Sequence, residues 1–264
     1  MILFTGGGSI ANACKTQFDC TIISARNLSD SELKSYIESA TLVIHNAGLI
    51  QSNNLNELLA SNLVFTKRVL DLVHITNPSI KVINVSSMSM LNTCDTYLPS
   101  NEMSNYALSK YFAELYCLNH SHENLTNVKF STIFYNDNKK DGISKLAYDA
   151  IKNNRIRIYN DATSHRDIVP IEYIASILGE LKDVTELPRC INIASGFSLP
   201  FSFFVTILKN KFNSLIIDNE KASFKPVLHE FSNFYKSDNI KIDIDMIKNT
   251  FTKYIDKLNE GINL

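Results

Sequence analysis

The sequence predicts an α/β chain: a doubly wound parallel sheet with a small interleaved C-terminal lobe. Three observations lead there. Apolar runs of strand length alternate with helical patterns through the first half. Strands separated by helices build parallel sheets covered on both faces. A glycine-rich turn, Gly6-Gly7-Gly8, lies between the first apolar run and the first helical pattern. After about Tyr135 the alternation becomes irregular, yet no Pro/Gly linker separates the halves, which points to an interleaved lobe.

Met1–Thr5 reads as the first strand and Ile10–Lys15 as the first helix. Cys20–Ser24 is the second strand. Ser29 with Glu32 three residues on has the capping-box form, starting a helix that runs to about Ser39. Thr41–His45 is the next strand, and Leu55–Ile75 a long helix stopped before Pro78. Ile80–Val85, Ser104–His120 and Val128–Phe134 read as strand, helix and strand. Further on, helices are expected at Ile143–Lys152, Ile171–Lys182, Phe203–Lys209 and Asp245–Leu258, with short strands at Ile168–Val169 and Ile191–Ile193. The expected division is residues 1–135, with 165–194 returning to it, against a small lobe of 136–164 and 195–264.

Composition narrows the function. Hydrophobic residues are 45% and charged residues 20% of 264, enough for a sizeable core and too apolar for global disorder. Lys+Arg is 26 against Asp+Glu 27, without the cationic stripe of a nucleic-acid binder. The apolar runs are too short to span a membrane, and Met1 leads into a strand with no basic leader region. The five cysteines are scattered, odd in number and without a CxxC pair, so reduced cytoplasmic thiols are expected rather than disulfides or zinc. His120-Ser121-His122 reads as a solvated helix end rather than a metal site, and Phe203-Phe204 as core. No G-x-S-x-G surrounds Ser86-Ser87, which argues against a hydrolase nucleophile.

The chemistry-bearing motifs begin with Thr5-Gly6-Gly7-Gly8-Ser9-Ile10-Ala11. Gly6, Gly8 and Ala11 fit G-x-G-x-x-A: a tight turn, close backbone approach to a pyrophosphate, and close helix packing. The following helix offers N–H groups and a positive dipole end to the phosphates. The second strand ends Ser24-Ala25-Arg26, with no acidic residue before Asp30. An acidic residue there would bind a ribose 2′-hydroxyl, whereas an Arg accommodates a 2′-phosphate, so Ser24 and Arg26 favour NADP(H), with NAD(H) the alternative.

Tyr106 and Lys110 lie on adjacent turns of one helix face. A cationic Lys beside a phenol favours the phenolate, so the phenol is expected to be lowered toward a usable acid or base. Ser87, at the end of an upstream strand, could donate a hydrogen bond to a carbonyl that the Tyr protonates.

Together these segments resemble the extended short-chain dehydrogenase/reductase family, the NAD(P)-dependent epimerases, dehydratases and reductases of nucleotide sugars. Thr5–Ala11 is similar to the family's glycine motif, one residue short, and implies cofactor contacts at Thr5, Gly6, Gly8, Ser9 and Ile10. His45-Asn46-Ala47-Gly48 resembles the segment lining the cofactor site, through Asn46, Ala47 and Gly48, and Asn62 opens a segment like the family's following helix. Ser87, Tyr106 and Lys110 match its catalytic Ser-Tyr-Lys set, with Tyr106 and Lys110 also touching cofactor. His165–Glu172 resembles the segment whose Arg, here Arg166, contacts the nucleotide diphosphate, and Ser87 also faces substrate there. Ile191–Gly196 resembles the strand and turn that follow.

The chain departs from the pattern in three places. The stretch between Arg26 and Thr41 is too short for the family's third strand, a compact form similar to reductases of bacterial surface-polysaccharide synthesis. Ser131–Asn136 lacks the family's Arg, Gly and Pro, and Tyr173 replaces an acidic residue for which Glu172 could substitute. The resemblance implies a Rossmann-type domain with a substrate lobe, and an NADPH-dependent reductase of a keto nucleotide sugar. An epimerase or dehydratase retaining NAD, and a non-catalytic NADP(H) sensor, are the alternatives. It also implies a homodimer built on the helices at Leu55–Ile75 and Ser104–His120, with Tyr111, Leu115 and Leu118 as an exposed seam.

Overall fold

The computed structural model describes residues 1–92, 94–137, 141–223, 228–231, 233–237 and 239–261. In chain order the elements are β1 (Ile2–Phe4), α1 (Ser9–Lys15), β2 (Thr21–Ile22), α2 (Asp30–Glu38), β3 (Leu42–His45), α3 (Leu55–Leu59), α4 (Phe65–Thr76), β4 (Lys81–Ser87), α5 (Asn105–Asn119) and β5 (Leu125–Phe130). There follow β6 (Thr132–Phe134), α6 (Gly142–Asn153), β7 (Arg155–Tyr159), β8 (His165–Pro170), α7 (Ile171–Leu181), β9 (Cys190–Ile193), β10 (Ser198–Pro200), α8 (Phe201–Lys211), β11 (Ile216–Glu220) and α9 (Ile244–Asn259). The chain divides into two compact units. One comprises Met1–Asn92, Thr96–Phe130 and Ile174–Ile193; the other comprises Thr93–Asp95, Ser131–Tyr173 and Ala194–Leu264.

The first unit is a six-stranded parallel sheet in the order β2-β1-β3-β4-β5-β9. Phe4 pairs with Ile44, Ile44 with Ile83 and Val85 with Val128, so the central strands are apolar on both faces, as a covered parallel sheet requires. Strand order reverses between β1 and β3. In open α/β sheets that switch point, at the carboxyl ends of the strands, is where ligands bind. The capping box at α2 forms, with Ser29 N donating to Glu32 Oε2 (2.7 Å) and Glu32 N to Ser29 Oγ (3.3 Å). Between Arg26 and Thr41 there is only a short turn, Ala25–Asn27, and α2, so the sheet carries no extra strand beyond β2. Arg189 secures the far end of α5 by donating to the carbonyls of Cys117 (3.2 Å), His120 and His122 (2.5 Å), groups a helix terminus leaves unpaired.

The second unit holds a three-stranded sheet, β10-β8-β6, and a parallel pair, β11-β7. Its core is aromatic: the Phe204 and Phe251 rings meet edge to face at 5.0 Å, with Phe134 5.9 Å from Phe251. The Asp167 carboxylate is fully buried and accepts from Ser131 Oγ (2.8 Å), Ser195 N (2.8 Å) and Gly196 N (2.9 Å). Gly196 has φ +80°, and a Cβ there would run into the Phe234 ring, so only glycine fits.

Several expectations are corrected. Residues 165–173 do not return to the first unit: β8 pairs with β6 and β10, and the return begins at Ile174. The expected strand Val128–Phe134 breaks at Ser131, leaving β5 and β6 in different sheets. β7, β10 and β11 were not foreseen, because Arg155-Ile156-Arg157-Ile158-Tyr159 and Ile216–Glu220 are short, partly exposed edge pieces rich in charge. His120-Ser121-His122 is no solvated helix end. His122 is buried, its ring packs with those of His74 and His120, and its Nε2 donates to Ile80 O (2.7 Å). Among the described residues no group of His, Cys, Asp or Glu could hold a metal ion, and no helix is long and apolar enough to cross a membrane.

Candidate active site

At the switch point β1 leads into the glycine turn. A Cβ on Gly6 would lie 3.0 Å from Ala47 Cα, so the turn after β1 and the loop after β3 meet at a distance that any side chain would have to widen. Asn46 locks that contact, accepting from Gly6 N (3.0 Å) and donating to Gly6 O (2.9 Å). Around Gly8, by contrast, a Cβ would meet nothing within 4 Å. Gly8 is also the N-cap of α1, so no cap side chain competes for the first-turn N–H groups, and no acidic residue lies in that turn. An open cradle before an uncapped helix fits a dinucleotide pyrophosphate.

Thr5 is buried, and its hydroxyl is occupied within the protein, 2.7 Å from His45 Nδ1. His45 Nε2 lies 2.9 Å from Thr66 Oγ1, whose own proton goes to Asn62 O (2.7 Å). Thr66 therefore accepts from His45, which places the imidazole proton on Nε2 and leaves Nδ1 to accept from Thr5. Burial, with Lys110 and Arg26 nearby, pulls His45 down to about 3, so it is neutral at physiological pH.

Ser104 caps α5 by accepting from Ala107 N (3.1 Å), which fixes Tyr106 in the first turn of the helix. The Tyr106 hydroxyl lies by Ser87 at the end of β4, whose hydroxyl acts to lower the phenol. Ser87 Oγ also accepts from Ser89 N (3.1 Å) and donates to Ser89 Oγ (3.0 Å), so its orientation is set by the turn that follows. One turn along α5, Lys110 Nζ donates to Val85 O (3.0 Å) and lies near Gly48. Asn62 stands beside them. Its amide donates to Ser109 Oγ (3.0 Å) and Leu49 O (2.9 Å), and its Oδ1 accepts from Leu49 N (2.7 Å). Asn62 reaches these partners from a π-helical turn, Ala60–Val64, that interrupts the helix expected over Leu55–Ile75. Such turns re-aim side chains at functional sites.

The electrostatics differ from expectation at Tyr106. Burial raises the phenol above its ordinary value, and the Ser87 hydrogen bond is the opposing influence. Desolvation thus outweighs any help from Lys110, whose ammonium is turned to the Val85 carbonyl. Burial likewise pulls Lys110 down to about 8, against the influence of Cys117 and Glu114. A neutral phenol beside a hydroxyl, with a cation one turn away, suits a proton donor.

Arg26 sits in the turn after β2, where its guanidinium donates to Ser61 O (3.1 Å) and lies 5.1 Å from the centre of the Phe65 ring. Ser24 is exposed just before it. In the second unit, half-buried Arg166 donates to the carbonyl of His165 (3.1 Å) and depresses neighbouring His229, already lowered by burial, to about 4. The structure therefore brings Gly6, Gly8, Ser9, Ile10, Asn46, Ala47, Gly48, Ser87, Tyr106 and Lys110 to the carboxyl ends of one sheet. Sequence reasoning missed Thr66 and the π turn at Asn62, which no helical periodicity reveals. It also missed Glu114, whose only signal is its place one turn beyond Lys110.

Residues 8–184 match the model of the NAD dependent epimerase/dehydratase family. No curated protein matches the sequence. Among solved structures the chain is similar to a UDP-N-acetylglucosamine 4-epimerase from Methanobrevibacter ruminantium, in complex with UDP-N-acetylmuramic acid. That likeness has 19% identity, TM-score 0.77, and 98% of each chain covered. It is similar to MoeE5 in complex with UDP-glucuronic acid and NAD, at 15% identity and TM-score 0.75, covering 98% of this chain and 99% of that one. RMD from Pseudomonas aeruginosa, complexed with NADPH, gives the same figures: 15%, 0.75, 98% and 99%. The structural likenesses fix the fold, and the family model covers the glycine turn from Gly8 together with Ser87, Tyr106 and Lys110; the chain belongs to the NAD-dependent epimerase/dehydratase family.

Proposed function

We propose that the protein is a cytoplasmic NADPH-dependent reductase of a keto nucleotide sugar, of the kind that feeds surface-polysaccharide synthesis. The observation that carries this reading is the juxtaposition of Ser87 and Tyr106, with Lys110 one turn on, beside the open glycine cradle. Gly6–Ala11 would hold the pyrophosphate, Ser24 and Arg26 the 2′-phosphate, and Lys110 the nicotinamide ribose. Bound nicotinamide supplies the hydride. Ser87, its proton turned from Ser89 Oγ, donates a hydrogen bond to the substrate carbonyl, and Tyr106 protonates the forming alkoxide. Arg166, a half-buried cation, suits a nucleotide diphosphate.

Arg26→Asp tests the cofactor assignment. Loss of a charge-assisted phosphate contact costs about 1.5–3 kcal/mol, so NADPH binding weakens roughly ten- to a hundredfold while NADH gains. Fluorescence titration with both cofactors checks this, and unchanged NADPH affinity removes Arg26 from the site.

One observation favours a second reading. The Arg26 guanidinium already rests on Ser61 O and Phe65 rather than standing ready for a 2′-phosphate, which suits an epimerase retaining NAD. Such an enzyme purifies with stoichiometric NAD and consumes no NADPH.

A homodimer is also proposed, with a corrected seam. Tyr111, Leu115 and Leu118 are half-buried, and the Tyr111 ring packs 5.1 Å from Tyr97. The exposed apolar residues of these helices are Val64 (60%), Ile75 (70%) and Phe112 (39%). Light scattering at micromolar concentration should give twice the chain mass, and Ile75→Asp with Phe112→Asp should give the monomer. A monomeric wild type counts against the dimer.

A further inference from the structure

We propose that Glu114 is a positioning residue of the proton-delivery site: its buried carboxylate, one helical turn beyond Lys110, holds the Lys110 ammonium protonated. The proposal rests on the Ser-Tyr-Lys reading above. Tyr106, Lys110 and Glu114 fall at i, i+4 and i+8 on α5 and so form one stripe. Glu114 is fully buried. Its Oε1 accepts from Lys129 Nζ (3.0 Å) and Tyr97 Oη (2.7 Å), while its Oε2, also buried, has no hydrogen-bond partner. A carboxylate kept only to pair with Lys129 would be expected to use both oxygens, since each unpaired buried acceptor is costly. Here the carboxylate pairs with Lys129 through Oε1, and the share of its charge on Oε2 meets no donor.

The groups around it leave this charge to act on Lys110. Tyr97 and Tyr111 pack against each other, and Lys129 lies 5.7 Å from the centre of the Tyr97 ring. Cys190 Sγ approaches Glu114 Oε1 at 3.9 Å. Burial pushes the Cys117 thiol up to about 12, so it is neutral near pH 7, and Arg189 is engaged with backbone carbonyls. His45, which both Lys110 and Arg26 help to keep neutral, contributes no charge. Glu114 is thus the anion that counters desolvation of Lys110.

The test is the pH dependence of Lys110 acetylation by acetic anhydride in the full-length protein, mapped by mass spectrometry. Glu114→Gln keeps the shape and an acceptor for Tyr97, and it should lower the Lys110 midpoint by roughly half a unit or more. Because that variant leaves Lys129 unpaired, the double variant Glu114→Gln/Lys129→Met is measured beside it; with no orphaned charge, it should still shift downward, by less than the single variant to the extent that Lys129→Met alone raises the midpoint. Lys129→Met alone should leave the midpoint in place or raise it. A midpoint equal to wild type in both Glu114 variants, whatever their melting temperatures, overturns the proposal and makes Glu114 only a partner for Lys129. Cofactor titration on the same samples separates the two claims. A wild type that binds no nicotinamide dinucleotide defeats the proposed function, while the acetylation shift still decides the coupling.

Discussion

Tyr106→Phe should lower turnover by roughly a hundred- to ten-thousandfold, the cost of removing a general acid, while cofactor affinity stays near wild type. The substitution removes one oxygen. It leaves the ring's packing, the Ser104 cap and the Asn46-locked glycine turn in place. Because burial raises the phenol, wild-type Tyr106 is protonated at neutral pH and is a ready donor in the reductive direction. Ser87→Ala should cost less, since it removes a polarising donor rather than the proton source. Lys110→Met should impair both binding and turnover. Stopped-flow hydride transfer at several pH values separates these outcomes. A Tyr106→Phe variant that keeps most of its rate would move the proton source elsewhere.

Acid should destabilise the first unit through His45, which the fold keeps neutral between Thr5 and Thr66. Its folded value of about 3 lies below the ordinary 6.5, so the unfolded chain takes up a proton that the fold refuses. The contribution is complete above pH 6.5 and is lost progressively as pH falls toward 3, where the deficit reaches on the order of 5 kcal/mol. By pH 5 it is about 2 kcal/mol. His45→Gln should be less stable at pH 7 but should lose less between pH 7 and 5. Urea unfolding at the two pH values measures this, and equal losses in both proteins would refute the assignment. His120 and His122, also lowered mainly by burial, act in the same direction in both proteins and do not obscure the difference.

The residues that announced themselves in the sequence share a local signature. Gly6 and Gly8 stand between an apolar run and a helix, Ser29 and Glu32 have capping spacing, and Tyr106 and Lys110 are one turn apart. Each depends on neighbours close in the chain, so pattern alone reveals it. What stayed hidden depends on partners far away. Asn46 reads as a cofactor contact, yet its amide locks Gly6, forty residues earlier. Thr5 reads as part of the glycine motif, yet its hydroxyl belongs to His45. The rise in the Tyr106 phenol follows from burial, which the Tyr-Lys spacing does not encode. The chain leaves one sheet and enters another at Ser131, between β5 and β6, where Asp167 holds it, a constraint visible only once β8 is placed.

The claim that Ser87, Tyr106 and Lys110 form a reductive site is tested most directly by one absorbance trace. Wild-type protein is mixed with NADPH and a 4-keto nucleotide sugar, with Tyr106→Phe run alongside, and the loss of NADPH is followed against the appearance of the alcohol. The wild type should consume NADPH and ketone in equimolar amounts, and the variant should do so at least a hundredfold more slowly. A wild type that carries stoichiometric NAD from purification and leaves the NADPH absorbance unchanged would contradict that claim.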